Sequence, residues 1–248
     1  MRRSGICAGL ALGLLAGCTT SRPAVLPTCT TGDVALTLEQ AANAATIAAV
    51  GKRLGMPNHA VTVALATALQ ESKLRNLRYG DRDSLGLFQQ RPSQGWGTSA
   101  EVQDPVYAAR AFFSHLRRIP GWRTLPVTVA AQRVQHSAAP DAYAQWEDAS
   151  RQLARALTGE LPAGFACQFV KPPRPSGGVQ VQERAAVELG PGGLSRTRTP
   201  SQTWTTTSWL VAQAATYGIS TVSVSGYTWS AKRGTWRRDP AATRLVYS

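Results

Sequence analysis

The chain has 248 residues, of which 43% are hydrophobic and 17% charged, an ordinary mix for a folded protein with one medium domain and room for a small one. That balance excludes an intrinsically disordered chain. Lys and Arg number 27 against 14 Asp and Glu, a net charge of +13, and from Lys171 onward ten basic residues face three acidic ones, so the last third is suited to an anionic partner.

In chain order, Arg2 and Arg3 precede an apolar run over residues 6–17. The run has the length of a signal-peptide core and is too short to span a bilayer comfortably. Its end, Leu15-Ala16-Gly17-Cys18, resembles the lipobox of bacterial lipoproteins. The resemblance implies cleavage before Cys18 and acylation of its thiol; the alternative is a general secretory signal. Both place the mature protein outside the cytoplasm, with lipid anchoring to the cell membrane in the first case. Nucleic acid then drops out as a partner, and anionic wall polymer or a membrane surface remains for the basic tail. With Cys7 removed and Cys18 acylated, Cys29 and Cys167 are left bracketing the central region. In an oxidising compartment they read as a disulfide.

The expected organisation is a signal peptide over 1–17, a tether over 18–28, a mainly helical domain over 29–170, a Pro/Gly linker over 171–178 and a small basic α/β module over 179–248. Thr37-Leu38-Glu39-Gln40 fits a capping box and opens a helix that stops at Gly55-Met56-Pro57. A second helix starts near Asn58, with Val61, Leu65, Ala68 and Leu69 on one face, and fades after Leu74. Residues 79–97 read as loop. Further helices fit 104–118, 127–136 and 141–157, punctuated by Pro120, Pro126 and Pro140. No stretch of this domain alternates with period two for long, so it is expected to be all-α or nearly so. In the tail, 179–189 and 205–217 read as helices, and 221–225, 227–229 and 243–247 as strands.

Chemistry concentrates around Glu71. One turn back are Thr67 and Ala68, and two turns back Ala64: small residues that leave room beside the carboxyl and give it no cationic partner. A carboxyl in a partly desolvated cleft holds its proton to higher pH, as protonating a leaving oxygen requires. Glu71-Ser72, followed by Gly86-Leu87-Phe88-Gln89, resembles the lysozyme-like superfamily of soluble lytic transglycosylases and goose-type lysozymes. Asp104-Pro105 with Ala109, Phe112, Phe113 and Leu116, and the block over 130–143, match more loosely; the similarity spans roughly 36–158. It implies a lysozyme-like fold that cleaves peptidoglycan glycan strands at the bond after N-acetylmuramic acid. Glu71 would be the acid/base, Ser72 would orient substrate, and Gly86, Phe88 and Gln89 would form a cleft wall. Tyr143 would face Glu71. Where that family usually has Tyr-Asn this chain has Val134-Gln135, and Gln135 still offers an amide.

The reaction depends on whether a second carboxylate takes part. The Gly80-Asp81-Arg82 step is similar to a goose-type loop with a water-positioning Asp, so Asp81 or Asp83 is either that base or a turn brace. The hydrolase and transglycosylase readings stay level. Trp96, flanked by Gly95 and Gly97, either stacks on a sugar ring or tucks into the core. Trp204, Trp209, Tyr227, Trp229 and Trp236 either face glycan or fill the core of the small module. His59, His115 and His136 lack ligand spacing, so no metal and no cofactor are expected. A non-catalytic envelope protein that binds glycan or a partner with the same fold is the rival expectation.

Overall fold

A computed structural model describes residues 26–137, 139, 141–170, 178–195 and 198–248. The expected signal peptide, the Cys18 acylation site, most of the tether and residues 171–177 of the linker lie outside the described residues. Among the described residues no helix is long and apolar enough to cross a membrane.

Two helices form the centre. In α1 (Leu38–Arg53) the Thr37 hydroxyl accepts from the Gln40 backbone N–H at 3.3 Å, and the Gln40 side chain accepts from the Thr37 N–H at 2.9 Å, the reciprocal cap expected there. α2 (Asn58–Ser72) follows after Pro57. Residues 44–51 of α1 and 60–69 of α2 are buried without a break. A helix apolar all round belongs inside a protein, and these alanine-rich surfaces let neighbours approach from every side. Around them lie α3 (Ser99–Gln103), α4 (Pro105–Arg118), α5 (Val127–Gln135) and α6 (Glu147–Leu157). α1 packs on α2, α4 and α6, and α2 on α5 and α6. The last of these begins six residues later than expected, because residues 141–146 form tight turns ahead of it.

The helical domain is nearly all-α, with one small sheet. β1 (Thr28–Thr31), β2 (Val34–Leu36) and β3 (Ala166–Gln168) form an antiparallel sheet in the order β2-β1-β3. Strands this short show no period. Their partners are brought together by the ends of the domain, where Cys29 stands opposite Cys167 and the two are joined in a disulfide. Closing 138 residues of chain stabilises the fold by roughly 5 kcal/mol in the chain-entropy account.

The tail supplies α7 (Gly178–Leu189), α8 (Pro200–Tyr217) and a second antiparallel sheet. Its strands are β4 (Thr221–Val224), β5 (Tyr227–Ser230), β6 (Thr235–Arg238) and β7 (Val246–Tyr247), ordered β6-β5-β4-β7. α8 starts earlier than its apolar pattern suggests. Thr199 and Gln202 make a capping box, with Pro200 in the first turn. β6 adds a strand to those expected; three of its four residues are exposed, so no buried face marks it in the sequence.

This region, expected as a module of its own, is packed onto the helical domain. α8 lies along α1 and α6, buried from Trp204 to Ala215. The Ser208 hydroxyl donates to the Ala156 carbonyl at 2.9 Å. Gly159, with φ at 74°, lets the end of α6 meet the start of α8; a Cβ there would stand 2.0 Å from the Ser201 carbonyl oxygen. The tryptophans close the junction. Trp229, fully buried, donates to the Cys167 carbonyl at 3.0 Å, and Trp236 to the Phe165 carbonyl at 2.8 Å. Trp209 donates to Glu188 at 2.6 Å, and Trp204 meets Tyr227 and Trp236 edge-on. Trp204, Trp209 and Trp229 therefore fill the core and present no flat face to a glycan. Buried residues of both regions belong to one hydrophobic cluster.

A shared core unfolds as one unit. Trp229→Ala should cost about 3–5 kcal/mol and lower the midpoint of the whole chain in a single transition. Two separate transitions by calorimetry, with only one displaced, would contradict this packing.

Candidate active site

Glu71 stands in the last turn of α2. The helix is ended by two successive non-glycine residues in the left-handed region, Lys73 with φ 55° and Leu74 with φ 59°. Such residues cost free energy unless their surroundings hold them. Here α1 does so: Gln40 Nε2 donates to the Lys73 carbonyl and Asn43 Nδ2 to the Leu74 carbonyl, each at 2.8 Å. The two N–H groups return to Leu69 and Ala68 at 3.1 Å. The end of α2 is thereby fixed in place, and Glu71 with it.

Two donors from different segments meet its carboxyl. Tyr143 Oη donates to Oε1 at 2.8 Å, and Gln135 Nε2, from the last residue of α5, donates to the same oxygen at 3.2 Å. Gln135 Nε2 also donates to the Phe88 carbonyl at 2.9 Å. Oε2 receives no hydrogen bond from the described residues. Burial pushes the Glu71 carboxyl above the ordinary carboxylate range; the Tyr143 and Gln135 bonds pull it back only in part. The helix C-terminus disfavours a negative charge in the same sense as burial. The Tyr143 hydroxyl is itself pushed well up by burial and then by the nearby carboxyl. Tyr143 faces Glu71, and Gln135 joins them, from the Val134-Gln135 pair that departs from the family pattern.

Several of the expected site residues are placed otherwise. Ser72 is buried; its hydroxyl lies 3.0 Å from the Ala68 carbonyl and 2.7 Å from the Leu87 carbonyl, so it pins the 85–90 turn to α2 and does not reach a substrate. Gly86 has no room for a sugar: a Cβ there would stand 2.2 Å from the Val102 carbonyl oxygen, and its φ of 75° needs glycine. The Phe88 ring is fully buried and stacks on Phe112 at 4.8 Å, leaving its carbonyl as the contribution to the site. Gln89 folds back on its own loop, donating to the Tyr79 and Gly86 carbonyls at 3.3 and 3.2 Å. Asp83 is a brace and no free base. Its Oδ1 accepts from Arg91 Nε at 2.8 Å and its Oδ2 from the Ser93 N–H at 2.7 Å, and these bonds hold the carboxyl well below its ordinary value. Asp81 is exposed, 3.9 Å from Arg82. Trp96 is half-buried and stacked on His115 at 3.9 Å, so one ring face is already covered.

A neighbouring group is not evident in the sequence. Gln70 Oε1 accepts from Trp146 Nε1 at 2.8 Å and from Gln145 Nε2 at 3.2 Å, while the Lys73 ammonium lies 4.1 Å from the centre of the Trp146 ring. Its one signal is the three-residue step from Tyr143 to Trp146, which sets both rings against the end of α2. The described residues contain no group of three His, Cys, Asp or Glu able to hold a metal ion.

No protein-family model matches this chain, and no curated protein matches its sequence. The chemistry therefore has to be read from the geometry: a carboxyl tied down through one oxygen, with the other left to carry a proton that burial retains above the usual pH.

The raised Glu71 pKa can be checked in two ways. Tyr143 bonds the charged form, so Tyr143→Phe should raise the Glu71 pKa further, read from carboxyl-carbon NMR shifts against pH; an unchanged or lower value would contradict the contact. Being raised in the fold, Glu71 contributes stability that is full below its unfolded pKa and lost as pH rises through the folded one. Glu71→Gln should therefore gain in thermal midpoint over the parent at pH 8, with the gap closing toward pH 4.

Proposed function

We propose that this protein is an extracytoplasmic peptidoglycan-cleaving enzyme that acts on the MurNAc–GlcNAc bond of glycan strands, with Glu71 as general acid. The observation that carries this reading is the half-buried Glu71 carboxyl, anchored through Oε1 by Tyr143 and Gln135 with its pKa raised by burial. It is supported by the resemblance of Glu71-Ser72 and Gly86-Leu87-Phe88-Gln89 to the lysozyme-like superfamily. In that reading the proton on Oε2 passes to the glycosidic oxygen as the C1–O bond breaks.

The fate of the muramyl C1 after cleavage depends on a second base. Asp83 has both oxygens committed to Arg91 and Ser93, and Asp81 stands 91% exposed at the side chain. This favours the one-carboxyl route. Glu71, now charged, takes the proton of the muramyl 6-hydroxyl as that oxygen closes on C1, and the product is an anhydro end formed without water. An inverting hydrolase would instead need a carboxylate free to activate water on the opposite face.

Incubation with purified sacculi and mass spectrometry of the released fragments is the direct test. Muropeptides one water lighter than reducing ends are expected from the parent, and none above background from Glu71→Gln. Turnover retained in that variant would remove Glu71 from the mechanism. A binding-only envelope protein is the second reading, favoured by the Val134-Gln135 pair that departs from the family pattern; sedimentation with sacculi without new sugar ends would select it. Anchoring through Cys18 belongs to the same proposal, and loss of membrane association in Cys18→Ser is its check.

A further inference from the structure

A cavity of about 190 Å³ among the described residues lies at the far end of α1 from Glu71. Gln40 is bonded to the end of α2 beside Glu71, whereas Lys52 lies twelve residues further along the same helix, about 18 Å at 1.5 Å per residue. The cavity sits between the C-terminal turn of α1, residues 189–191 and Arg198, and the first turns of α8. Three basic residues line it, Lys52, Arg53 and Arg198, and no acidic side chain does. Each cation is held by a neutral acceptor: Lys52 by Asn58 Oδ1 at 2.9 Å, Arg53 by the Val187 carbonyl, and Arg198 by the Leu194 carbonyl at 3.1 Å. Glu160 acts on Lys52 electrostatically without lining the cavity. Arg53 forms no ion pair among the described residues.

Two further features point at a ligand. The first two turns of the 18-residue helix α8 flank the cavity through Ser201, Gln202, Thr205 and Thr206, so the positive end of the helix lies beside it. Thr206 lines the cavity with only 2% of its surface exposed, yet its hydroxyl makes no hydrogen bond with the described residues. Its neighbours Thr203, Thr205 and Thr207 all donate to backbone carbonyls. A hydroxyl that no protein group satisfies, on the wall of a cationic cavity, is placed to donate to an anion.

We infer that this cavity is a binding site for a phosphate group, presented as the free ion or as a small mono- or diester. Lys52, Arg53 and Arg198 supply charge-assisted donors, the start of α8 supplies its dipole, and Thr206 supplies the hydroxyl at the floor. A recess of this size fits one phosphoryl group and its substituent better than a flat lipid surface. The site stands independently of Glu71 chemistry and would hold the protein on phosphodiester-containing wall polymer.

Isothermal titration of the full chain with inorganic phosphate and with glycerol phosphate tests it. One saturable site is expected, weakened tenfold or more in Lys52→Gln/Arg198→Gln and several-fold in Thr206→Val. Arg237→Gln/Arg238→Gln on β6 should bind as the parent does. If the first variant fails to hold its thermal midpoint, Arg53→Gln replaces it in the comparison. Non-saturable heats, or equal affinity in all variants, would overturn the inference. So would binding to anionic phospholipid vesicles that neither saturating phosphate nor the cavity variants diminish, because the charge would then serve a membrane surface.

Discussion

A helix buried on every side can offer a polar group only at its ends, and α2 is such a helix. Its middle ten residues are sealed by α1, α5 and α6, so Glu71 in the last turn is the first acidic side chain it can bring to a boundary. The left-handed turn at Lys73 and Leu74 sharpens that boundary, and Gln40 and Asn43 of α1 hold it open. Everything proposed for Glu71 depends on this arrangement. The carboxyl has lost most of its water while its oxygen partners come from two other segments, Gln135 and Tyr143, fixed by their own packing.

The same economy governs the surrounding turn. Ser72, Gly86 and Phe88 form a supporting scaffold in which a hydroxyl, a missing side chain and a stacked ring lock residues 85–90 against α2, α3 and α4. That scaffold positions the Phe88 carbonyl, which in turn positions the Gln135 amide on Glu71. Motif residues near a catalytic group need not touch a substrate to matter. Here they set the height and angle of Glu71, the group proposed to do so.

Much of this was legible from the amino acids. The capping box at Thr37, the stop at Gly55-Met56-Pro57 and the helix starting at Asn58 follow from local chemistry, and so does the isolation of Glu71 among small neighbours. The β1-β2-β3 sheet was not legible, because its strands are three or four residues long and its register depends on two cysteines at opposite ends of the domain. α8 began a turn earlier than its apolar pattern because the start is set by Thr199 and Pro200, which are polar or neutral to that pattern. The union of the tail with the helical domain was hidden for a related reason. A Pro/Gly stretch reads as a boundary whether or not the segments it joins pack together afterwards, and the tryptophans that decide the matter do so through distant carbonyls at Phe165 and Cys167.

The crosslink between β1 and β3 also has a mechanical side. Any pull on the chain ahead of Thr28 reaches Cys29 at once, and there it is handed through a covalent bond to Cys167 on the adjacent strand. The load bypasses α1 and α2 and is borne where the two ends of the domain lie together. Tension on the leading end would therefore leave the Glu71 carboxyl and its two donors undisturbed, so a load applied there need not detune the acid.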